Sequence, residues 1–123
     1  MPETGKSPQI LAAEWIAAWN AHDLARIMEH YAEDVEFTAS TVARRWQRTD
    51  GTLRGKAELR EHFRLGLELA PDLHFELLEV FETPGGYAVL YQRDNGNQVI
   101  DAVTLNAAGK AQRVTAYYKN AQR

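Results

Sequence analysis

At 123 residues, with 45% hydrophobic and 25% charged residues, the chain is long enough for one domain with a core and too short for two, and nothing in its composition points to a disordered or fibrous architecture. The absence of cysteine excludes a disulfide framework, a thiolate metal site and a cysteine nucleophile. With 14 basic and 17 acidic residues the formal net charge is -3, which supplies no long-range field for polyanions, so nucleic acid is not an expected partner.

The opening MPETGKSPQ is polar and lacks the apolar core of a secretory signal, and no run of ~18 apolar residues follows it. Residues 1-7 therefore read as a polar tail on a single domain, with a cytoplasmic location and no membrane span as the expectation. Ser7-Pro8 fits a cap followed by proline at the first helical position, and Leu11, Trp15, Ala18 and Trp19 then recur at helical spacing, predicting a helix that ends near Asn20. Asp23 caps a second predicted helix, whose face carries Leu24, Ile27, Met28 and Tyr31.

At Val35 the period changes to two, and Val35 and Phe37 alternate with Glu36 and Thr38 as a half-buried strand requires. The polar stretch from Ser40 to Gly55, with a turn signal at Asp50-Gly51, predicts a loose hairpin or a loop. A third helix follows in KAELREHFRLGLELA, with Leu59, Phe63, Gly66, Leu67 and Ala70 on one face and Pro71-Asp72 as its stop. Everything after Asp72 reads as four antiparallel strands, LHFELLEVFE, YAVLYQR, QVIDAVTLN and KAQRVTAYYK, joined by turns at Pro84-Gly85-Gly86, Asn95-Gly96 and Ala108-Gly109. Helices first and strands last predict an α+β fold with the helices on one face of a curved sheet. In LHFELLEVFE, Phe75, Leu77 and Phe81 oppose Leu78 and Val80, so both faces carry apolar residues and a second subunit is a natural cover for the outer one.

Read together, WNAHDLARIMEHYAEDVEF, TLRGKAELREHFRLGLELAPDLHFELLEV and VIDAVTLNAAGKAQRVTAYY resemble the SnoaL-like branch of the nuclear transport factor 2-like superfamily, over about Pro8 to Tyr118. The resemblance implies a cone, in which three N-terminal helices pack on a strongly curved, mostly antiparallel sheet that encloses an apolar pocket, and a homodimer formed through the sheet. It implies little about activity, because members include ketosteroid isomerase, polyketide cyclases, epoxide hydrolases, dehydratases and noncatalytic binders. On the ketosteroid isomerase pattern, the aspartate of the oxyanion hole falls on Asp101, its tyrosine partner on Trp15, the carboxylate base on Ala39, and two supporting tyrosines on Tyr31 and Phe63. Alanine accepts no proton, so that reaction is not carried over whole. The limonene-type epoxide hydrolase pattern keeps its arginine as Arg93 but meets Asn95 and Ala116 in place of its aspartates, and that chemistry is not expected. The polyketide cyclase pattern, in which one aspartate acts as acid and base in an apolar pocket, is permitted by Asp101.

Asp101 is the candidate catalytic residue, because a carboxylate set among apolar, β-prone neighbours either has its pKa raised by desolvation or is held by a structural partner such as Trp15, Tyr118 or an arginine. If Asn95-Gly96 forms a two-residue turn, Leu90 lies opposite Asp101 and Gln92 opposite Val99, on one face with Val103; a three-residue turn reverses that pairing. The family pattern adds Val114 and Tyr118 from the last strand, and Trp15, Trp19, Tyr31, Phe37 and Phe63 fit the same lining or the core. The four histidines show no ligand spacing, so neither a metal nor a cofactor is expected; His62 and His74 alone approach the pocket, each partly exposed. Arg44, Arg45, Trp46 and Arg48 are read as a loop at the pocket mouth, with Trp46 folding inward as a lid. Two functions remain open at this point: an isomerase or cyclase acting on a small hydrophobic molecule, and a noncatalytic module that holds such a molecule or a protein partner.

Overall fold

The computed structural model describes residues 6-119. Helix α1 (Pro8–Asn20) starts where Ser7 Oγ accepts the Ile10 N–H at 3.3 Å, and it buries Leu11, Ala12, Trp15, Ile16, Ala18 and Trp19. It stops in a left-handed residue, His22 (φ 54°), with the Asp23 N–H returned to the Ala18 carbonyl at 3.1 Å. Asp23 then caps α2 (Leu24–Met28). The end of α1 is tied to the sheet, because the Asn20 side chain donates to the Phe75 carbonyl at 2.9 Å and accepts the Phe75 N–H at 2.7 Å. That bond pair seats Trp19 against Phe75, with ring centroids 5.3 Å apart.

Helix α2 is shorter than its periodicity predicts, and Tyr31 is not on it. Strand β1 (Tyr31–Thr38) begins at Tyr31 because the last strand captures the chain there: the His30 carbonyl accepts the Ala111 N–H at 2.7 Å, and Tyr31 pairs with Ala111. Residues 40-55 are likewise not a loose hairpin or loop. Ser40–Trp46 forms helix α3, which buries Val42 completely, and Thr52–Arg54 forms strand β2, which pairs with β1 through Phe37 and Leu53. The segment between them is clamped by Arg48, whose guanidinium meets the Glu58 carboxylate in two parallel bonds of 2.8 and 2.9 Å. The hydrogen bonds from Arg48, joined by one from the Arg54 N–H, hold the Glu58 carboxyl well below the usual range, at about 2.

Helix α4 (Lys56–Leu69) buries Leu59, His62 and Phe63. The remaining strands are β3 (Phe75–Thr83), β4 (Gly86–Arg93), β5 (Gln98–Leu105) and β6 (Ala111–Tyr118). The six-stranded, curved and unclosed sheet runs β2-β1-β6-β5-β4-β3, antiparallel except for the β1–β6 pair, with the helices on one side. A bulge between Leu77 and Glu79 resets β3, so Val80 lies inside with Phe75 and Leu77, while Phe81 turns outward and is 57% exposed. The simple alternation expected for this strand fails at that extra residue.

The β4–β5 hairpin determines which side chains face the helices. Arg93 N–H donates to Asn97 O at 2.8 Å, leaving Asp94, Asn95 and Gly96 (φ 88°) as a three-residue loop, so Val89 pairs with Asp101 and Tyr91 with Val99. Leu90 and Gln92, expected beside Asp101 from a two-residue turn, therefore project from the opposite face. At the other end of the hairpin, a Cβ on Gly86 would lie 2.2 Å from the Val103 carbonyl oxygen. Gly86→Ala is expected to force β4 and β5 apart and to lower unfolding stability by about 1–3 kcal/mol, measured by urea denaturation; an unchanged midpoint would contradict the close approach.

Candidate functional site

A cavity of about 280 Å³ lies between the inner face of the sheet and helices α1, α3 and α4. The ladder arranges the sheet beneath it in rows: Asp101 and Ala116 stand side by side, with Val89 of the adjoining recess beyond Asp101, and Tyr91, Val99 and Tyr118 form the next row toward the hairpin end. Trp15 and Trp19 descend from α1 and Phe63 from α4, and Phe37 reaches in from β1. The walls are packed aromatic rings, with centroids 5.2 Å apart for Trp15 and Tyr91, 4.9 Å for Trp19 and Phe63, and 5.4 Å for Phe37 and Phe63.

Asp101 is 3% exposed. Its Oδ1 accepts the Tyr91 hydroxyl at 3.1 Å, and burial pushes the carboxyl up from 3.8 to about 7 against the opposing pull of that hydrogen bond. The partner is Tyr91, and not Trp15, Tyr118 or an arginine. Trp15 instead donates its indole N–H to Tyr31 Oη at 2.9 Å, which ties the first helix to the first strand. Both phenols lie close to Asp101, and burial raises the pKa of Tyr31 and Tyr91 well above the usual tyrosine value.

Of the residues expected from the sequence, Trp15, Trp19, Phe37, Phe63, Tyr118 and Asp101 border this cavity. Tyr31, Val103 and Val114 border an adjoining recess of about 10 Å³ that also touches Asp101. Leu90 and Gln92 border neither. His62 and Arg45, expected near the pocket and at its mouth, also border it, whereas Tyr91 and Thr41 were not anticipated there. Tyr91 was within reach of sequence reasoning, since the three-residue turn places it on the Asp101 face.

His62 is 5% exposed, not partly exposed as expected, whereas His74 lies on the surface. Its Nδ1 is approached by the Trp46 indole N–H at 3.2 Å and by Arg45 Nη1 at 3.3 Å. Both groups can only donate, so Nδ1 is the acceptor and the ring hydrogen rests on Nε2. Burial and the Arg45 charge push His62 down to about 4, so it is a neutral donor near pH 7. Nε2 faces Thr41 Oγ1 at 3.4 Å. Trp46 is thus engaged with His62 and does not border the cavity as a lid; Thr41 and Arg45 of α3 do. Periodicity conceals this because α3 is short and carries its cavity-facing groups as polar side chains.

Among the described residues no cluster of His, Asp or Glu could hold a metal ion, and no helix is long and apolar enough to cross a membrane. The sequence profile described as a SnoaL-like domain matches residues 12–118. The chain belongs to this SnoaL-like family. A SnoaL-like protein of unknown function from Burkholderia thailandensis is 31% identical, with a TM-score of 0.86 over 90% of this chain and 93% of that one. A protein provisionally termed an isomerase of the SnoaL-like family, from Agrobacterium tumefaciens, shares the fold at 16% identity, with a TM-score of 0.70 over 91% and 97% of the two chains. TerC, crystallised with polyporic acid, shares it at 19% identity, with a TM-score of 0.72 over 93% of each chain. No curated protein matches the sequence.

The raised pKa of Asp101 has a stability consequence of definite sign. Between 3.8 and about 7 the folded SnoaL-like domain binds a proton that the unfolded chain releases, so this group makes stability fall as pH rises through that window. Relative to the parent protein, Asp101→Asn is expected to gain stability on the order of 4 kcal/mol between pH 4 and pH 7, at about 1.4 kcal/mol per pH unit. Urea unfolding of both proteins across that range measures the difference, and a constant difference would mean an ordinary carboxylate.

Proposed function

We propose that the cavity holds a small, mainly apolar carbonyl compound and that Asp101, in its protonated form, donates a hydrogen bond to the carbonyl oxygen, as the acid or oxyanion donor of an isomerase- or cyclase-type proton transfer in the cytoplasm. The observation that carries this reading is a carboxyl buried among aromatic rings, with Tyr91 on Oδ1 and a pKa of about 7. With Oδ1 occupied, the acidic hydrogen belongs on Oδ2. As negative charge develops on the substrate oxygen, a preorganised donor in a water-poor site stabilises it more than water would. The isomerase term attached to the Agrobacterium tumefaciens neighbour and the polyporic acid bound by TerC are in keeping with a small-molecule site on this fold.

A second reading, binding without turnover, is favoured by the residues that would have to accept a proton. Alanine stands at position 39, and His62 has Nδ1 engaged and Nε2 already protonated. The two readings separate on one variant. If Asp101 is catalytic, Asp101→Asn lowers kcat about 100-fold or more while affinity changes little; unchanged turnover of a confirmed substrate would sink the assignment. The prior measurement is the Asp101 titration by carboxyl-carbon NMR, assigned with the same variant. An inflection near 7 is expected, and one at or below the ordinary ~3.9 would remove the proton donor.

We also propose a homodimer formed through the outer face of the sheet. Ile100, Tyr117 and Phe81 stand outward there, 38%, 59% and 57% exposed. Light scattering is expected to give a dimer that Ile100→Lys with Tyr117→Lys converts to monomer; a monomeric parent at tens of micromolar would refute it.

A further inference from the structure

Two of the residues that line the cavity carry buried donors without a partner. Trp19 is 6% exposed, and its indole N–H is buried without a partner, as is Nε of Arg93. The other donors nearby are engaged: the Trp15 N–H by Tyr31 and the Tyr91 hydroxyl by Asp101. Trp19 and Arg93 flank the same ring, because Arg93 is the cross-strand partner of Phe75 and the Trp19 and Phe75 centroids are 5.3 Å apart.

Among the described residues neither Arg93 nor Arg45 forms an ion pair. Arg45 directs Nη1 only at neutral acceptors, the carbonyl and Nδ1 of His62. Asp94, beside Arg93 in the chain, is exposed and accepts the His74 N–H at 3.1 Å. Asp101 is the one carboxyl of the lining, and it stands on β5 level with Val89, which is four residues along β4 from Arg93, roughly 13 Å at 3.3 Å per residue. A neutral acceptor could meet the two N–H groups but would leave the Arg93 and Arg45 charges without a counter-charge, whereas an anion would do both.

We propose that the ligand is an apolar carboxylic acid bound as its carboxylate, which accepts from the Trp19 indole N–H and Arg93 Nε. Arg45 adds positive charge at the cavity mouth. The apolar body runs along the aromatic wall toward Asp101, so the preferred molecule is a keto acid with its two oxygen functions separated by a ring-sized apolar spacer. This rests on the reading of the cavity as a small-molecule site.

The test is a matched pair of probes, 4-phenylbutyrate and the near-isosteric neutral 4-phenylbutyramide, titrated into the full chain by calorimetry at pH 7. The acid is expected to bind at least about tenfold more tightly, with the preference lost in Arg93→Gln and partly restored in Arg93→Lys. Arg45→Gln, on a different element, should weaken the acid alone, and it keeps the test informative if the strand-end variant fails to fold. Equal binding of acid and amide would overturn the carboxylate and leave the small-molecule cavity standing. Binding of neither would overturn both.

Discussion

The three-residue closure of the β4–β5 hairpin is the constraint on which the site depends. Side chains alternate across a sheet with a period of two, so moving the register by one residue exchanges the entire inner and outer sets. With Gly96 in the left-handed region and Arg93 paired to Asn97, Asp101 lies level with Val89 and one row from Tyr91. The alternative closure would put Leu90 and Gln92 on the inner face in place of Val89 and Tyr91. The buried carboxyl would then lose its tyrosine partner, and the rings that stack on Tyr91 would lose it as well.

The interior is held by aromatic side chains, and apart from Trp19 several of them satisfy their polar ends in pairs. Trp15 meets Tyr31, Tyr91 meets Asp101, and Trp46 meets His62. Each pair joins two elements that are distant in sequence or adjacent in the sheet, so apolar burial and directional bonding act on the same residues. The arrangement leaves the acid and the neutral histidine with opposite pKa displacements from one common cause. Burial disfavours the charged form, which raises a carboxyl and lowers an imidazole. Both groups therefore tend toward neutrality near pH 7.

Local signals were legible wherever a segment's own chemistry specifies its conformation. The Ser7 and Asp23 caps, the buried faces of α1 and α4, and the glycine turns between strands all appear where the sequence places them. Reading failed where a distant partner overrides local preference. Tyr31 continues the helical pattern of α2, yet β6 draws it into a strand; the Ser40–Trp46 segment has too few apolar positions to reveal its helix; and the Leu77/Glu79 bulge inverts the rest of β3. Most of the aromatic lining was legible for a related reason, since large apolar side chains at regular spacing must be buried somewhere.

The sequence by itself determined the α+β class, the meander order and the singular position of Asp101, because these follow from periodicity, turn chemistry and the cost of burying a charge, and its resemblance to SnoaL-like chains pointed to the family. Tertiary structure alone decided that Tyr91 is the residue bonded to Asp101, that His62 is buried with its hydrogen on Nε2, and that Trp19 and Arg93 both line the cavity and each keep a buried N–H without a partner. Those outcomes depend on register and on partners far away in the chain. A linear pattern records which residues are apolar or polar, but it does not record which of two faces a strand turns inward, or which acceptor a buried donor meets.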